Sequence, residues 1–229
     1  MKPGKANAWM DRVAHDLRGP LAPMQTAVYL LREGAIADNQ REELLAVLDR
    51  QIQRLSGMIR EFSDFGRSET RRLVSRRDLI DVEQLLADLV CRLQGRAPRL
   101  SIDAQVGGLQ VRGDILRLAQ LFETLLGTQL SRDHRVPVQA RVERLGGQLR
   151  MTCALHCCGA SDALAEALLS APHPDPPDDT LGFGLLIASA IAEAHGGELR
   201  GRASAPDTVE LTLDLPCATE APAAAGLEG

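Results

Sequence analysis

With 229 residues, of which 45% are hydrophobic and 25% charged, the chain has the makeup of a globular protein and enough length for two domains of ordinary size. Its formal charge of -5 and 3% aromatic content give no reason to expect nucleic-acid binding and make the core aliphatic. Five cysteines, an odd number with no secretory leader pattern ahead of them, predict reduced thiols and a cytoplasmic setting, and no apolar run reaches the roughly 18 residues that span a bilayer, the longest candidate (181–194) being interrupted by glycine and glutamate.

The first predicted helix covers 7–33 and stops near Gly34. Along it Met10, Ala14, Leu17, Leu21, Met24, Val28 and Leu31 recur at alternating spacings of four and three, the seam of a bundled or coiled helix. His15 lies one residue past a seam position and so points off the stripe on which a core histidine would sit. Five residues on, Pro20 has no N–H to give, which frees the carbonyl of Asp16 and predicts a bend beside His15. A neutral imidazole offers a lone pair to phosphorus, and the adjacent Asp16 can take a proton or orient the ring. A His-Asp pair by itself reads as a solvated surface; with Pro20, Arg18 and the seam beside it, His15 reads as a phosphoryl acceptor.

The stretch His15-Asp16-Leu17-Arg18-Gly19-Pro20-Leu21 resembles the H-box of two-component histidine kinases, where an acidic residue follows the phosphorylated histidine and a proline stands five after it. The resemblance implies that Asp16 assists proton transfer, Arg18 meets the phosphoryl group or the receiver, and Pro20 shapes the docking surface. Four residues after the histidine the family commonly carries Thr or Asn to orient water; this chain has Gly19, which puts receiver phosphatase activity in doubt. Only 14 residues precede His15, so a chain complete as it stands is expected to take its signal from a partner rather than from a sensor domain of its own.

Asp38 or Asn39 is expected to cap a second helix, in which Leu45, Leu48, Ile52, Leu55, Ile59 and Phe62 repeat the three-four spacing up to Gly66. Two helices with a short connection form a hairpin over 1–66. A hairpin cannot surround its own seam, so pairing with a second copy as a four-helix bundle is expected, against the alternative that it folds back onto the rest of the chain. Residues 67–77, with Arg67, Arg71, Arg72, Arg76 and Arg77, read as a solvated basic linker.

After Arg77 the pattern alternates. Helices are predicted over 81–93, 114–130 and 185–195, and strands over 100–104, 109–111, 138–143, 148–155, 198–200 and 209–215, with a hairpin across Gly146-Gly147. The expected fold class is therefore an α-helical hairpin, dimeric as a four-helix bundle, followed over 78–216 by an α+β sandwich; the Ala- and Pro-rich tail 217–229 is expected to be disordered.

This second segment resembles the ATP-binding domain of histidine kinases, through Gly182-Phe183-Gly184-Leu185-Leu186-Ile187 and Ala194-His195-Gly196-Gly197-Glu198. The resemblance implies a phosphate-side loop at Gly182 and Gly184 leading into a helix N-terminus; from the residues alone, a tight turn and a packed helix explain the same pattern. Where the family places two magnesium-binding asparagines four apart, aligned through Asp114, Arg117, Leu118 and Gln120, this chain has Glu123 and Gly127. Glutamate could ligate magnesium but adds negative charge near a polyphosphate, and glycine has no ligand to give. The family's adenine-reading aspartate is missing from Leu155-His156-Cys157-Cys158-Gly159-Ala160, the nearest being Asp162, and the lid is replaced by a stretch with three acids and four prolines over 170–179, read as an extended loop. Cys153, His156, Cys157 and Cys158 stand too close together to converge on one tetrahedral centre, so no metal is expected there.

The leading expectation is a cytoplasmic, dimeric phosphotransfer protein that carries a phosphoryl group on His15 and exchanges it with response-regulator receiver domains, with a degenerate second domain. ATP and magnesium are not assigned as cofactors; Gly182, Gly184 and Glu123 would hold them if ATP binds. The alternatives are an active ATP-dependent kinase with an atypical site and a pseudokinase that only binds partners.

Overall fold

The computed structural model describes residues 3–33, 37–70, 72–93, 98–130, 136–173, 176 and 180–218. The first predicted helix divides into α1 (Pro3–Arg18) and α2 (Leu21–Glu33), parted by a turn at Gly19 and Pro20. The Asp16 carbonyl that Pro20 cannot serve accepts the Gly19 N–H at 3.2 Å instead, so the break leaves that group satisfied. α3 (Asp38–Glu69) packs beside α2. It begins at Asp38, with Ala37 rather than Asp38 or Asn39 in the capping position, and it runs past Gly66, since a glycine stops a helix only where the chain must turn. The predicted stop at Gly34 lies outside the described residues.

The hairpin buries a different stripe from the predicted seam. Val13, Pro20 and Ala27, seven residues apart, are buried, as are Met58 and Phe65 on α3. Met10, Leu21, Val28, Ile52, Ile59 and Phe62 of the predicted seams are 41% to 55% exposed. α3 thus carries two apolar faces, one spent on the second domain and one uncovered.

In the second half, β1 (Asp78–Asp81) and β3 (Gln110–Gly113) form an antiparallel ribbon. A five-stranded sheet has the order β2 (Arg99–Ile102), β4 (Gln139–Leu145), β5 (Gln148–His156), β7 (Thr208–Pro216), β6 (Glu198–Ala205). β2 and β4 are parallel and the other neighbours antiparallel. Gly146, at φ 58°, supplies the left-handed residue of the β4–β5 turn. α4 (Val82–Arg92), α5 (Ile115–Gly127), α6 (Asp162–Ser170) and α7 (Gly184–Ala194) pack on one another over the sheet. Period-two burial puts Leu149, Met151, Cys153 and Leu155 of β5 and Val209, Leu211, Leu213 and Leu215 of β7 inward against these helices. Each such leucine contributes about 1.5–3 kcal/mol.

Two elements differ from expectation. β1 was not legible as a strand, because a four-residue strand with one buried residue leaves little pattern. No helix was expected between 160 and the loop at 170–179, where α6 lies, started by Ser161, whose hydroxyl accepts the Leu164 N–H at 3.2 Å. Residues 174, 175 and 177–179 of the acidic, proline-rich stretch, and the tail from 219 onward, lie outside the described residues. In the basic linker Arg72, Arg76 and Arg77 are exposed, and the segment is also tied to the second domain: Ser75 donates through its amide (3.3 Å) and hydroxyl (3.0 Å) to Asp114, and Arg77 donates to the Ala194 carbonyl at 3.0 Å.

Candidate functional site

His15 stands on the last turn of α1 with its side chain 84% exposed. Its Nδ1 lies 3.2 Å from Asp16 Oδ1. A carboxylate can only accept, so this contact puts the ring proton on Nδ1 and leaves the lone pair on Nε2. Asp16 Oδ2 lies 4.0 Å from Arg12 Nε, an i, i+4 pair across one helical turn. Arg18 is exposed three residues beyond His15, and Pro20 is buried, holding the α1–α2 break against the hairpin.

The other sequence-singled glycines lie on the opposing surface. Gly182, at φ 80°, forms a turn whose carbonyl accepts the His173 N–H at 2.8 Å, and a Cβ there would stand 2.6 Å from the His173 carbonyl oxygen. Only glycine fits. Gly184 opens α7, where a Cβ would meet nothing closer than Thr124 at 3.6 Å. The amides flanking Gly182 point at α3: Glu61 accepts from Leu181 N at 2.7 Å and from Phe183 N at 2.6 Å. Arg12 Nη2 donates to the Leu181 carbonyl at 3.2 Å, and Phe65 stacks on Phe183 with centroids 4.5 Å apart. One turn along α3, Asp64 pairs with Arg117 at 2.9 Å and accepts from Gln120 at 3.0 Å.

Between α3 and the α5–α7 pair lies a cleft of about 930 Å³ bordered by Arg50, Arg54, Glu123, Gly127, Thr180 and Gly184. Its residues do not fit a magnesium nucleotide. Glu123 is exposed, Gly127 has no side chain, and the turn amides are held by Glu61. Asp162, the nearest aspartate to the missing adenine reader, accepts the Ala203 amide at 2.8 Å and so serves the sheet edge. Gly127 is not demanded by packing, since a Cβ would come no nearer than 4.0 Å to Leu93.

His195, part of the second resemblance, is a core residue. Its Nδ1 lies 2.7 Å from the Ile191 carbonyl, and its Nε2 accepts the Asp114 amide at 3.1 Å. Burial pushes its pKa below the ordinary imidazole value. Gly113 is required beside it, because a Cβ would overlap the ring. Cys153 faces the core, where burial pushes its thiol up to about 12, while His156 lies 3.6 Å from Asp207. Among the described residues no group of three or more His, Cys, Asp or Glu side chains is placed to hold a metal ion.

Sequence reading singled out His15, Asp16, Arg18 and Pro20 but not Arg12, Glu61 or Asp64, which the structure places around them and around the Gly182 turn. The Arg12–Asp16 spacing was available as an i, i+4 pair. Glu61 carried no signal, because an acid on a helix looks like any other until the turn that meets it is placed.

Residues 6–71 match the His Kinase A (phospho-acceptor) domain family. The sensor protein ChvG of Rhizobium meliloti is 27% identical over 210 residues, covering 82% of this chain and 35% of the relative. The sensor histidine kinase ZraS of Klebsiella oxytoca is 26% identical over 210 residues, covering 89% of this chain and 44% of ZraS. Residues 6–71 thus belong to the His Kinase A phospho-acceptor domain family, and over most of its length the chain is similar to two-component sensor histidine kinases. It spans between 35% and 44% of the length of these two relatives. Solved histidine kinases share the fold. The Acinetobacter baumannii kinase AdeS superposes with a TM-score of 0.63 at 17% identity, over 90% of this chain and 98% of that one. The kinase ThkA, solved in complex with the response regulator protein TrrA, gives 0.67 at 14% identity, over 91% of this chain and 61% of that one. The helical hairpin carries the phospho-acceptor match, and the sheet domain shares its fold with these solved kinases.

Proposed function

We propose that this chain acts in two-component signalling by carrying a phosphoryl group on His15 and exchanging it with the receiver domains of response regulators. The observation that carries the reading is the pairing of an exposed His15 ring with Asp16 on Nδ1, which leaves Nε2 open to solvent as the nucleophile. The Nε2 lone pair attacks the phosphorus of a receiver's aspartyl phosphate. The N–P bond forms as the P–O bond breaks, and the electron pair leaves on the receiver's carboxylate. Asp16 stabilises the cationic ring through Nδ1–H, and Arg18 meets the phosphoryl group or the receiver's acidic site. Magnesium in these steps belongs to the receiver. Transfer to a second receiver reverses the same bonds.

The second domain serves as a wing of the docking surface. Its cleft residues do not match a magnesium nucleotide, which favours this reading over ATP-driven autophosphorylation. The exposed stripe of Met10, Leu21, Val28, Ile52, Ile59 and Phe62 supports a homodimer, in which a second copy covers it as a four-helix bundle. A cytoplasmic location fits these partners; among the described residues no helix is long and apolar enough to cross a membrane.

The deciding experiment gives the purified chain radiolabelled ATP with magnesium in one reaction and a panel of phosphorylated receivers in another, each with and without His15→Gln. Label from receivers alone, absent in the variant, is expected. Label from ATP that depends on His15 would make the chain a kinase, and no label in either reaction would leave a protein that only binds partners.

A further inference from the structure

Four polar contacts in series join the second domain to His15. Glu61 on α3 holds the amides of Leu181 and Phe183. The Leu181 carbonyl between those amides accepts from Arg12 Nη2. The same guanidinium faces Asp16 Oδ2, and the other oxygen of Asp16 faces His15 Nδ1. The side chains of Arg12 and Asp16 are only 28% and 30% exposed, so solvent screens this pair incompletely. The Arg12 fork is rigid and planar, and one of its nitrogens is committed to a backbone carbonyl of the other domain. With that nitrogen so committed, the Nε of Arg12 stands 4.0 Å from Asp16 Oδ2, at the limit of an ion pair. Were the turn to leave, nothing would keep Arg12 from closing on Asp16 as an ordinary i, i+4 ion pair, which draws the carboxylate off the imidazole.

We propose that Arg12 is a positioning residue for His15: it transmits the docking of the Leu181–Gly182–Phe183 turn, clamped by Glu61, to the carboxylate that sets the tautomer of the acceptor ring. With the turn docked, Asp16 stays on Nδ1 and Nε2 keeps its lone pair. With the turn released, Asp16 goes to Arg12 and the ring tautomers redistribute. The second domain thereby controls the readiness of His15 without supplying a phosphoryl group. This rests on His15 being the acceptor and adds what governs it.

The test uses the full chain with 15N-labelled histidine, the His15 ring signals being assigned by their loss in His15→Gln. Amide hydrogen exchange over residues 180–187 reports the clamp. Glu61→Gln, which cannot accept from both amides through one oxygen, should speed exchange at Leu181 and Phe183 by about tenfold or more while β5 and β7 amides stay slow. The His15 ring nitrogen shifts should move with it, although Glu61 is on another helix. Arg12→Ala, which removes the cation that would draw Asp16 away, should leave those shifts at their docked values, and adding Glu61→Gln to it should no longer move them. In transfer from a phospho-receiver, Glu61→Gln should lower kcat several-fold and leave KM unchanged, and adding Arg12→Ala should restore kcat. Faster exchange with unmoved His15 signals overturns the proposal, as does unchanged exchange in both Glu61→Gln and Glu61→Ala. If the Glu61 variants lose their folded β5 and β7 protection, Gly182→Ala, whose added Cβ forces the turn away from His173, decides in their place, and unmoved His15 signals there overturn the proposal. These readouts need no phosphoryl donor, so failure of the phosphotransfer reading would show separately as an unlabelled His15 in a chain whose coupling is intact.

Discussion

The His15 face of α1 and the Leu181–Phe183 turn oppose each other across Arg12, and they have kept different things. Around His15 stand the side chains that the proposed transfer would use: an exposed ring, a carboxylate on Nδ1 and a proline-made break beside them. Around the turn the backbone is retained, including a glycine at φ 80°, while its amides answer to Glu61 and the nearby aspartate to a sheet edge. A fold persists because its core residues still pack. A ligand site persists only while specific polar atoms remain uncommitted.

The sharpest break of this contrast is at His15. His15→Gln should reduce labelling from phospho-receivers to background with no change in the unfolding midpoint, since the side chain is 84% exposed. Asp16→Asn should leave transfer measurable but about 100-fold slower, because an amide stabilises the cationic ring less than a carboxylate; an unchanged rate would remove Asp16 from the mechanism. On the turn side the effects should fall on stability instead. Phe65→Ala, which removes a buried ring stacked on Phe183, should cost about 3 kcal/mol in urea unfolding.

Acid should act on the second domain. His195 is buried with its pKa depressed from 6.5, so the unfolded chain binds its proton first. Its contribution is complete above about pH 6.5 and is lost as the pH falls toward the folded value. Asp214, held below the usual carboxylate range by its hydrogen bond to Arg150, works in the same direction further down, from about 3.8. Urea midpoints taken from pH 8 to 5 should therefore fall only in the lower half, and His195→Gln should flatten that slope. The smallest expected effect is Gly127→Ala, which ends α5 with a better helix former where there is room for a Cβ and should stabilise by about 0.5 kcal/mol. Destabilisation there would mean that position 127 is tighter than its surroundings indicate.

The sequence by itself determined what depends on near neighbours along the chain. Pro20 and Gly19 dictate the break after Arg18, because a missing N–H acts on the carbonyl four residues back wherever the helix lies. Alternating Leu149, Met151, Cys153 and Leu155 dictate a strand with one wet face. His15 and Asp16 meet because they are adjacent. What joins residues far apart was decided only in three dimensions. Apolar spacing showed that α1, α2 and α3 had stripes, but which stripe the chain buries depended on the second domain arriving against Met58 and Phe65, leaving Ile52 and Ile59 uncovered. Asp162 and His195 resembled ligand or motif residues until Ala203 and Asp114 took their hydrogen bonds. Glu61 and Arg12 acquire meaning only when Leu181, more than a hundred residues away, is set between them. Helix period and proline chemistry are local forces written in local residues, whereas a carboxylate's choice of partner is settled by whichever donors the folded chain brings within hydrogen-bond reach.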